Sequence, residues 1–76
     1  MSLLVKRSLS LTGHRTSVAL EPEFWYVLDQ IAASRRLSFT ALVAEIDAQR
    51  TPERPLASAL RVAALLWRTP QQVDLL

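Results

Sequence analysis

The chain has 76 residues, of which half are hydrophobic and only one is glycine, so it suffices for one small domain and is too apolar to be disordered throughout. It has no cysteine, which excludes disulfides, and its one histidine excludes a histidine-based metal site within a single chain. Small domains are commonly stabilised by disulfides, by a structural metal or by oligomerisation. Because the first two are missing here, oligomerisation is the remaining common means of stabilisation.

The charge of the chain is unevenly distributed. Its formal net charge is only +2, but the first twenty residues contain Lys6, Arg7 and Arg15 and no acidic residue, whereas all seven acidic residues lie from Glu21 onward. A locally basic segment of this kind is compatible with contact to a polyanion. The alternative interpretation is a solvated edge strand that its charges keep soluble.

The sequence favours a cytoplasmic protein without a membrane partner. The absence of cysteine fits a reducing compartment, and the N-terminal charges follow a short apolar run, which is the wrong order for a secretion signal. The longest apolar segment, residues 56–67, is too short to span a bilayer and contains Arg61.

Two stretches near the N-terminus have the two-residue period of β-strands, residues 6–12 and residues 14–20. In the second stretch Thr16, Val18 and Leu20 alternate with a more polar set, namely Arg15, Ser17 and Ala19. Gly13 between the stretches suits a turn or a bulge. The stretches therefore form either a hairpin or one long, bent strand, and the sequence leaves both open.

Three helices are predicted after the strands. Residues 22–34 repeat their apolar positions at helical spacing behind Pro22, which is tolerated in a first turn. Residues 38–49 do the same behind Ser38, a good N-cap. Residues 55–68 are apolar on nearly every side, so we expect this helix to be buried in the same subunit or against another. The remaining tail is expected to dock weakly.

Residues 14–20 raise the question of a pairing partner. A lone strand can neither satisfy its backbone edge nor bury Val18 and Leu20 unaided. The simplest solution is a strand from a second copy of the chain, which would form an intermolecular two-stranded ribbon.

The order strand, helix, helix resembles the ribbon-helix-helix superfamily of Arc-like and MetJ-like repressors. The resemblance is carried by "RTSVAL", "EPEFWYVLDQIAASRRLS" and "SFTALVAEIDA". The longer stretches "KRSLSLTGHRTSVALEPEFW", "LSFTALVAEIDAQR" and "LASALRV" are similar to a bacterial subfamily of small proteins with an added third helix. The fold implied is mainly α with a short N-terminal β-ribbon, built as an intertwined homodimer with an intermolecular antiparallel ribbon that enters the DNA major groove.

The resemblance also implies roles for individual residues. DNA bases would be contacted by Arg15, Ser17 and Ala19. DNA phosphates would be contacted by Lys6, Arg7, Arg36, Ser38, Phe39 and Thr40. The dimer interface would contain Thr16, Val18, Leu20, Phe24, Leu28, Leu42 and Ile46.

Two positions depart from the family pattern. Ala19 offers only a methyl group for base readout, so it can contact a thymine methyl and nothing polar. Arg36 stands in a turn where the family commonly has glycine, and it would need the left-handed conformation at a cost of roughly 1 kcal/mol.

No pattern indicates an enzyme, a cofactor or a metal. His14 is interpreted as a polar turn residue or a weak phosphate donor, and Asp29, Glu45 and Asp47 as solvated helix faces. Two hypotheses remain. The first is a dimeric, sequence-specific DNA-binding regulator; the second is a dimeric interaction module that binds another protein, as an antitoxin or an adaptor does, and not DNA. The basic ribbon favours the first, while Ala19 and the apolar third helix favour the second.

Overall fold

The structure is a computed structural model that describes residues 3–67. Its elements follow the order β1 (Val5–Leu11), β2 (His14–Leu20), α1 (Pro22–Ser34), α2 (Phe39–Gln49) and α3 (Leu56–Leu66). The predicted β-ribbon followed by helices is confirmed. The predicted end of the third helix at residue 68 and the tail that follows lie outside the described residues.

The two strands form an antiparallel hairpin within one chain, with Val5 opposite Leu20 and Leu11 opposite His14. Within one chain β1 therefore pairs with one edge of β2, and the intermolecular antiparallel ribbon, which involves a second copy, stays a prediction. Of the two arrangements left open for residues 6–12 and 14–20, the chain adopts the hairpin.

A two-residue turn joins the strands. Thr12 and Gly13 both have positive φ angles, 47° and 82°. This is the pattern of a type I′ turn, whose twist matches that of the flanking strands. Glycine adopts such angles freely, whereas a β-branched threonine does so at a cost, part of which is offset by the hydrogen bond that Thr12 Oγ1 donates to the Leu11 carbonyl at 2.7 Å.

The turn between α1 and α2 closes with the hydrogen bonds of a Schellman motif. The Leu37 N–H donates to the Ala32 carbonyl at 2.8 Å, and the Arg36 N–H donates to the Ala33 carbonyl at 3.1 Å. Arg36 occupies the left-handed position with φ 57°. The left-handed conformation that the family resemblance implied for Arg36 is thus present without a glycine.

One core lies between the ribbon and the three helices. The ribbon contributes every second residue, and the helices contribute their apolar stripes. The buried hydrophobic residues of the described chain are Leu9, Leu11, Val18, Leu20, Trp25, Leu28, Ile31, Ala32, Leu42, Val43, Ala59, Leu60 and Ala64. Because α3 completes this core with Leu60, which is fully buried, one chain encloses a core of its own.

Candidate nucleic-acid interface

The solvent side of the ribbon, which we call the outer face, carries six side chains in three cross-strand pairs. The pairs are Lys6 with Ala19, Ser8 with Ser17, and Ser10 with Arg15. Five of the six residues are exposed and Ala19 is half-buried. The Oγ atoms of the central pair, Ser8 and Ser17, lie 3.4 Å apart, which shows that both hydroxyls stand on the same face. The outer face thus combines two cations with three hydroxyls and has no carboxylate.

The two-residue loop determines which cross-strand pairs lie on the outer face. In a hairpin with a two-residue loop, the flanking residues Leu11 and His14 exchange hydrogen bonds, and every second pair after them does the same. The pairs on the outer face are those in between, where the strands approach more closely and their side chains lie nearest to one another. The central pair consists of two small, exposed serines, so the middle of the outer face is sterically accessible.

The residues predicted to contact bases all lie on the outer face. Arg15, Ser17 and Ala19 are its β2 half, as the alternation along β2 indicated. The sequence analysis missed its β1 half: Ser8 and Ser10 received no role, and Lys6 was assigned to phosphates. Their signal was present in the alternation of residues 6–12, but it could be used only once β1 was known to pair with β2.

Arg7, predicted to contact phosphate, lies on the opposite side of β1. Its guanidinium donates two hydrogen bonds of 3.0 Å to the carboxylate of Asp29. It also lies 4.7 Å from the ring centroids of both Trp25 and Phe39, a double cation–π contact. Arg7 therefore ties β1 to α1 and α2, and the structure does not bring it to the outer face.

Trp25 fixes the same end of the ribbon. Its side chain is almost fully buried, and its indole N–H donates to the Val5 carbonyl at 2.7 Å. Its ring meets Phe39 edge-on at 5.6 Å. The start of α2 is thereby held against the ribbon.

The remaining residues predicted to contact phosphate surround the start of α2. The Ser38 hydroxyl accepts a hydrogen bond from the Ala41 N–H at 3.0 Å, so it is already used as the N-cap. Phe39 is half-buried beside Trp25 and offers a ligand only its backbone, whereas Thr40 and Arg36 are exposed. Arg36 pairs with no carboxylate among the described residues.

Among the described residues, four carboxylates form ion pairs on other surfaces. The guanidinium of Arg35 donates two hydrogen bonds, of 2.7 and 2.9 Å, to the carboxylate of Glu45. These hydrogen bonds hold the pKa of Glu45 below its ordinary range. Arg61 of α3 donates a hydrogen bond from its Nε atom to the carboxylate of Glu21 at 3.0 Å. The pKa of Glu21 is lowered first by a hydrogen bond from its own backbone and then by this hydrogen bond from Arg61.

Asp29 and Asp47 are the other two paired carboxylates. Asp29 binds Arg7, and Asp47 accepts from Arg50 at 2.7 Å. Asp29, Glu45 and Asp47, interpreted from the sequence as solvated helix faces, are thus partly exposed side chains that each form an ion pair. Several arginines are thus held by carboxylates on other surfaces. The cations on the outer face are Lys6 and Arg15.

The residues predicted to form a dimer interface belong to the core of one chain or to its border. Val18, Leu20, Leu28 and Leu42 are buried by their own chain, with at most 6% of their surface exposed. The half-buried members of the set are Thr16, Phe24 and Ile46. The family resemblance assigned these side chains to a dimer interface, and that assignment stays a prediction.

The described residues contain no cluster of three or more histidine, aspartate or glutamate side chains that could hold a metal ion. His14 is exposed at the end of β2 next to the turn. None of the helices described is long and apolar enough to cross a membrane.

Comparison with known proteins identifies the architecture. A family model described as "Ribbon-helix-helix domain" matches residues 4–68, which include both strands and all three helices. Searches among curated proteins and among solved structures give no match.

Proposed function

Because the chain belongs to the ribbon-helix-helix family, whose members are typically DNA-binding transcription regulators, we propose that it binds double-stranded DNA in a sequence-specific manner and regulates transcription. The observation that carries the proposal is the outer face, where Lys6 and Arg15 flank a central pair of serine hydroxyls and no carboxylate is present. A surface of this composition suits the electronegative, hydrogen-bonding edges of base pairs.

The dimensions support docking into the major groove. That groove is about 12 Å wide and admits a two-stranded ribbon, whose strands lie about 4.8 Å apart. Arg15 suits guanine, to which it can donate two hydrogen bonds, and Ser17 can donate to or accept from several bases. Ala19 suits contact with a thymine methyl group.

Phosphates would be contacted at the start of α2. The free N–H groups of a first helical turn attract anions, and Thr40 and Arg36 add an exposed hydroxyl and an exposed cation nearby. Ser38 would contribute mainly through its backbone, because its hydroxyl caps the helix. Arg7 has no place in this proposal, since Asp29 holds its guanidinium.

We also propose that the protein acts as a cytoplasmic homodimer, as ribbon-helix-helix domains typically do. The dimer contact would lie outside the β1–β2 pairing, which one chain completes. Light scattering at micromolar concentration tests this: a mass of twice 8.5 kDa supports it, and a monomer at all concentrations contradicts it.

A second candidate function, docking of another protein, is favoured by one observation. Leu65 and Leu66 are 77% and 71% exposed at the end of α3, beside a cleft of about 390 Å³ between α1 and α3. The cleft is lined mainly by apolar side chains, among them Phe24, Val27 and Trp67. Apolar patches of this kind often mark interaction surfaces.

Selection from a random DNA library followed by fluorescence anisotropy tests the DNA-binding proposal. Replacing Arg15 by alanine should cost roughly 1–3 kcal/mol on the selected site and little on a scrambled one. Arg36→Ala should weaken binding to both DNAs and lower the salt slope by about one unit. Arg54→Ala, which removes an exposed arginine from the α2–α3 linker, is the matched control. Binding no tighter than roughly 10⁻⁴ M to any DNA at low salt would favour the protein-docking function instead.

A further inference from the structure

One side chain connects β1 with both α1 and α2. Arg7 of β1 donates two hydrogen bonds of 3.0 Å to the carboxylate of Asp29 on α1. Its guanidinium carbon lies 4.7 Å from the ring centroid of Trp25 on α1 and 4.7 Å from that of Phe39, the first residue of α2. We call these four residues the Arg7 cluster.

The cluster depends on the shape of the arginine side chain. A guanidinium is planar, so its N–H donors point outward in the plane and both of its faces can stack on aromatic rings. Arg7 combines the two kinds of contact, because paired donors bind Asp29 while two rings lie near the same guanidinium carbon. A lysine at this position would keep the charge but would have neither the paired donors nor the planar faces.

The cluster is a direct link between two surfaces that are remote from each other along the chain. β1 is separated from α2 by β2, α1 and the turns between them, so their relative placement depends on packing. Lys6, the neighbour of Arg7, lies on the outer face, and Thr40, the neighbour of Phe39, is exposed at the start of α2. Both surfaces are proposed above to contact DNA, one in the groove and the other at the phosphates.

We infer that Arg7 is a positioning residue for DNA binding, which holds the start of α2 where it can contact a duplex while the outer face lies in the groove. This role rests on the proposed DNA binding and involves no contact between Arg7 and DNA. Groups that are correctly placed in the free protein need no ordering when the ligand binds, so the affinity is higher. When the cluster is loosened, part of the binding free energy restores the arrangement, and the affinity falls although the same contacts with DNA are made.

Arg7→Lys tests this role in the full chain, because it keeps the charge and removes the paired hydrogen bonds and the stacking. We expect its affinity for a site selected by the unmodified protein to fall by roughly 3- to 10-fold, as for a moderate coupling within one network of contacts. The salt slope should stay the same, since no contact between a cation and a phosphate is lost. Fluorescence anisotropy measures both quantities at a temperature where thermal melting shows every variant to be folded.

The matched control is Arg61→Lys. Arg61 also donates to a carboxylate, that of Glu21 at 3.0 Å, and its guanidinium lies 5.7 Å from the ring centroid of Phe24. Its side chain is 34% exposed, against 35% for Arg7, but these contacts join α3 to the start of α1. Arg61→Lys should therefore also lower the melting temperature, whereas it should change the affinity for DNA by no more than about 2-fold.

Asp29→Asn distinguishes positioning from a direct contact between Arg7 and phosphate. If Arg7 positions α2, losing the carboxylate that holds it lowers the affinity and leaves the salt slope unchanged, even though the protein loses a negative charge. If the released guanidinium binds phosphate, the affinity rises and the salt slope increases by about one unit, which would overturn the positioning role. Asp47→Asn, which removes the partner of Arg50, is the control for the lost charge.

Hydrogen exchange of the free protein tests the cluster without DNA. The Ala41 N–H is bonded to the Ser38 hydroxyl and the Leu42 N–H to the Ser38 carbonyl, both at 3.0 Å. The exchange rates of these two amides therefore report how well the first turn of α2 is ordered. Both amides should exchange faster in Arg7→Lys than in the unmodified protein and in Arg61→Lys. Equal rates in all three proteins would contradict a link between Arg7 and the start of α2.

The outcomes separate the positioning role from the proposed function. If the unmodified protein selects no DNA site, the proposed function is overturned, and the role of Arg7 in DNA binding falls with it, whatever the hydrogen exchange shows. If the unmodified protein selects a site and the folded Arg7→Lys variant binds it as tightly, DNA binding stands and the positioning role is overturned. An equal loss of affinity in Arg7→Lys and Arg61→Lys also overturns it, since the loss then follows the stability of the domain.

Discussion

The turn between α1 and α2 predicts that Arg36→Gly stabilises the protein. Arg36 has φ 57° at the left-handed position of the Schellman motif, where the hydrogen bonds to Ala32 and Ala33 involve only backbone atoms and survive the substitution. The left-handed conformation costs a residue with a Cβ about 1–2 kcal/mol, and glycine avoids this cost. Glycine also loses about 0.5–1 kcal/mol more conformational entropy on folding. The difference leaves a net gain of up to about 1 kcal/mol.

Thermal unfolding followed by circular dichroism measures this gain. In a domain of this size, 1 kcal/mol corresponds to a rise in Tm of roughly 4–8 °C. Arg36→Ala is the control for the lost charge, since alanine keeps the Cβ and removes the cation; the glycine variant should exceed it in stability by up to about 1 kcal/mol. Ser34→Gly, which places glycine within the last helical turn, should instead destabilise by roughly 0.5–1 kcal/mol.

Two results would refute this reasoning. If Arg36→Gly and Arg36→Ala melt at the same temperature, the left-handed backbone at this position carries no strain. If Arg36→Gly melts below the unmodified protein, the arginine side chain makes a stabilising contact that outweighs the strain.

Three other perturbations follow from the structure. Thr12→Asn should raise the free energy of unfolding by up to roughly 1 kcal/mol, because asparagine tolerates the positive φ of a type I′ turn better than a β-branched residue; an unchanged urea midpoint would contradict this. Arg7→Ala should lower the free energy of unfolding by roughly 1–2 kcal/mol; the loss is small because the Arg7 side chain is 35% exposed, so solvent screens its ion pair. The same substitution should leave the salt slope of DNA binding unchanged. A stable Arg7→Ala protein with a reduced salt slope would place Arg7 on the DNA after all. Because the folded state lowers the pKa of Glu21 and of Glu45, their contribution to stability is present above the unfolded pKa of about 4.3 and is lost as the pH falls through the lower folded pKa. Urea unfolding between neutral and acidic pH should show this loss, and Glu45→Gln should reduce it.

The sequence by itself determined the local structure of this protein. The two-residue and 3.6-residue periods specified strands and helices, because each period sets which side chains share a face. Ser38 marked the start of α2, whereas the left-handed conformation of Arg36 was predicted from the family resemblance, in which glycine is common at that position of the turn. The alternation along β2 was enough to assign Arg15, Ser17 and Ala19 to one face, since that assignment needs no knowledge of what the strand pairs with.

The tertiary structure decided which strand pairs with β2. A two-residue period identifies the faces of a strand but not its partner, because backbone hydrogen bonding is the same for every sequence. The turn signal was weak as well, since Thr12 is a poor residue for a type I′ turn and the Thr12–Gly13 pair fitted a bulge equally well. With β1 in that place, Val18 and Leu20 lie in the core of one chain, and their contribution to a dimer interface stays a prediction.

Tertiary structure also decided which cations reach the outer face. Arg7 and Lys6 are neighbours with the same charge, so composition could not separate them. The pleat of β1 sends their side chains to opposite sides, and only the packing of Trp25, Phe39 and Asp29 around Arg7 gives that side chain a partner within the fold. Ion pairs of this kind join residues far apart in the chain, and their formation depends on how the elements pack, which no local pattern encodes.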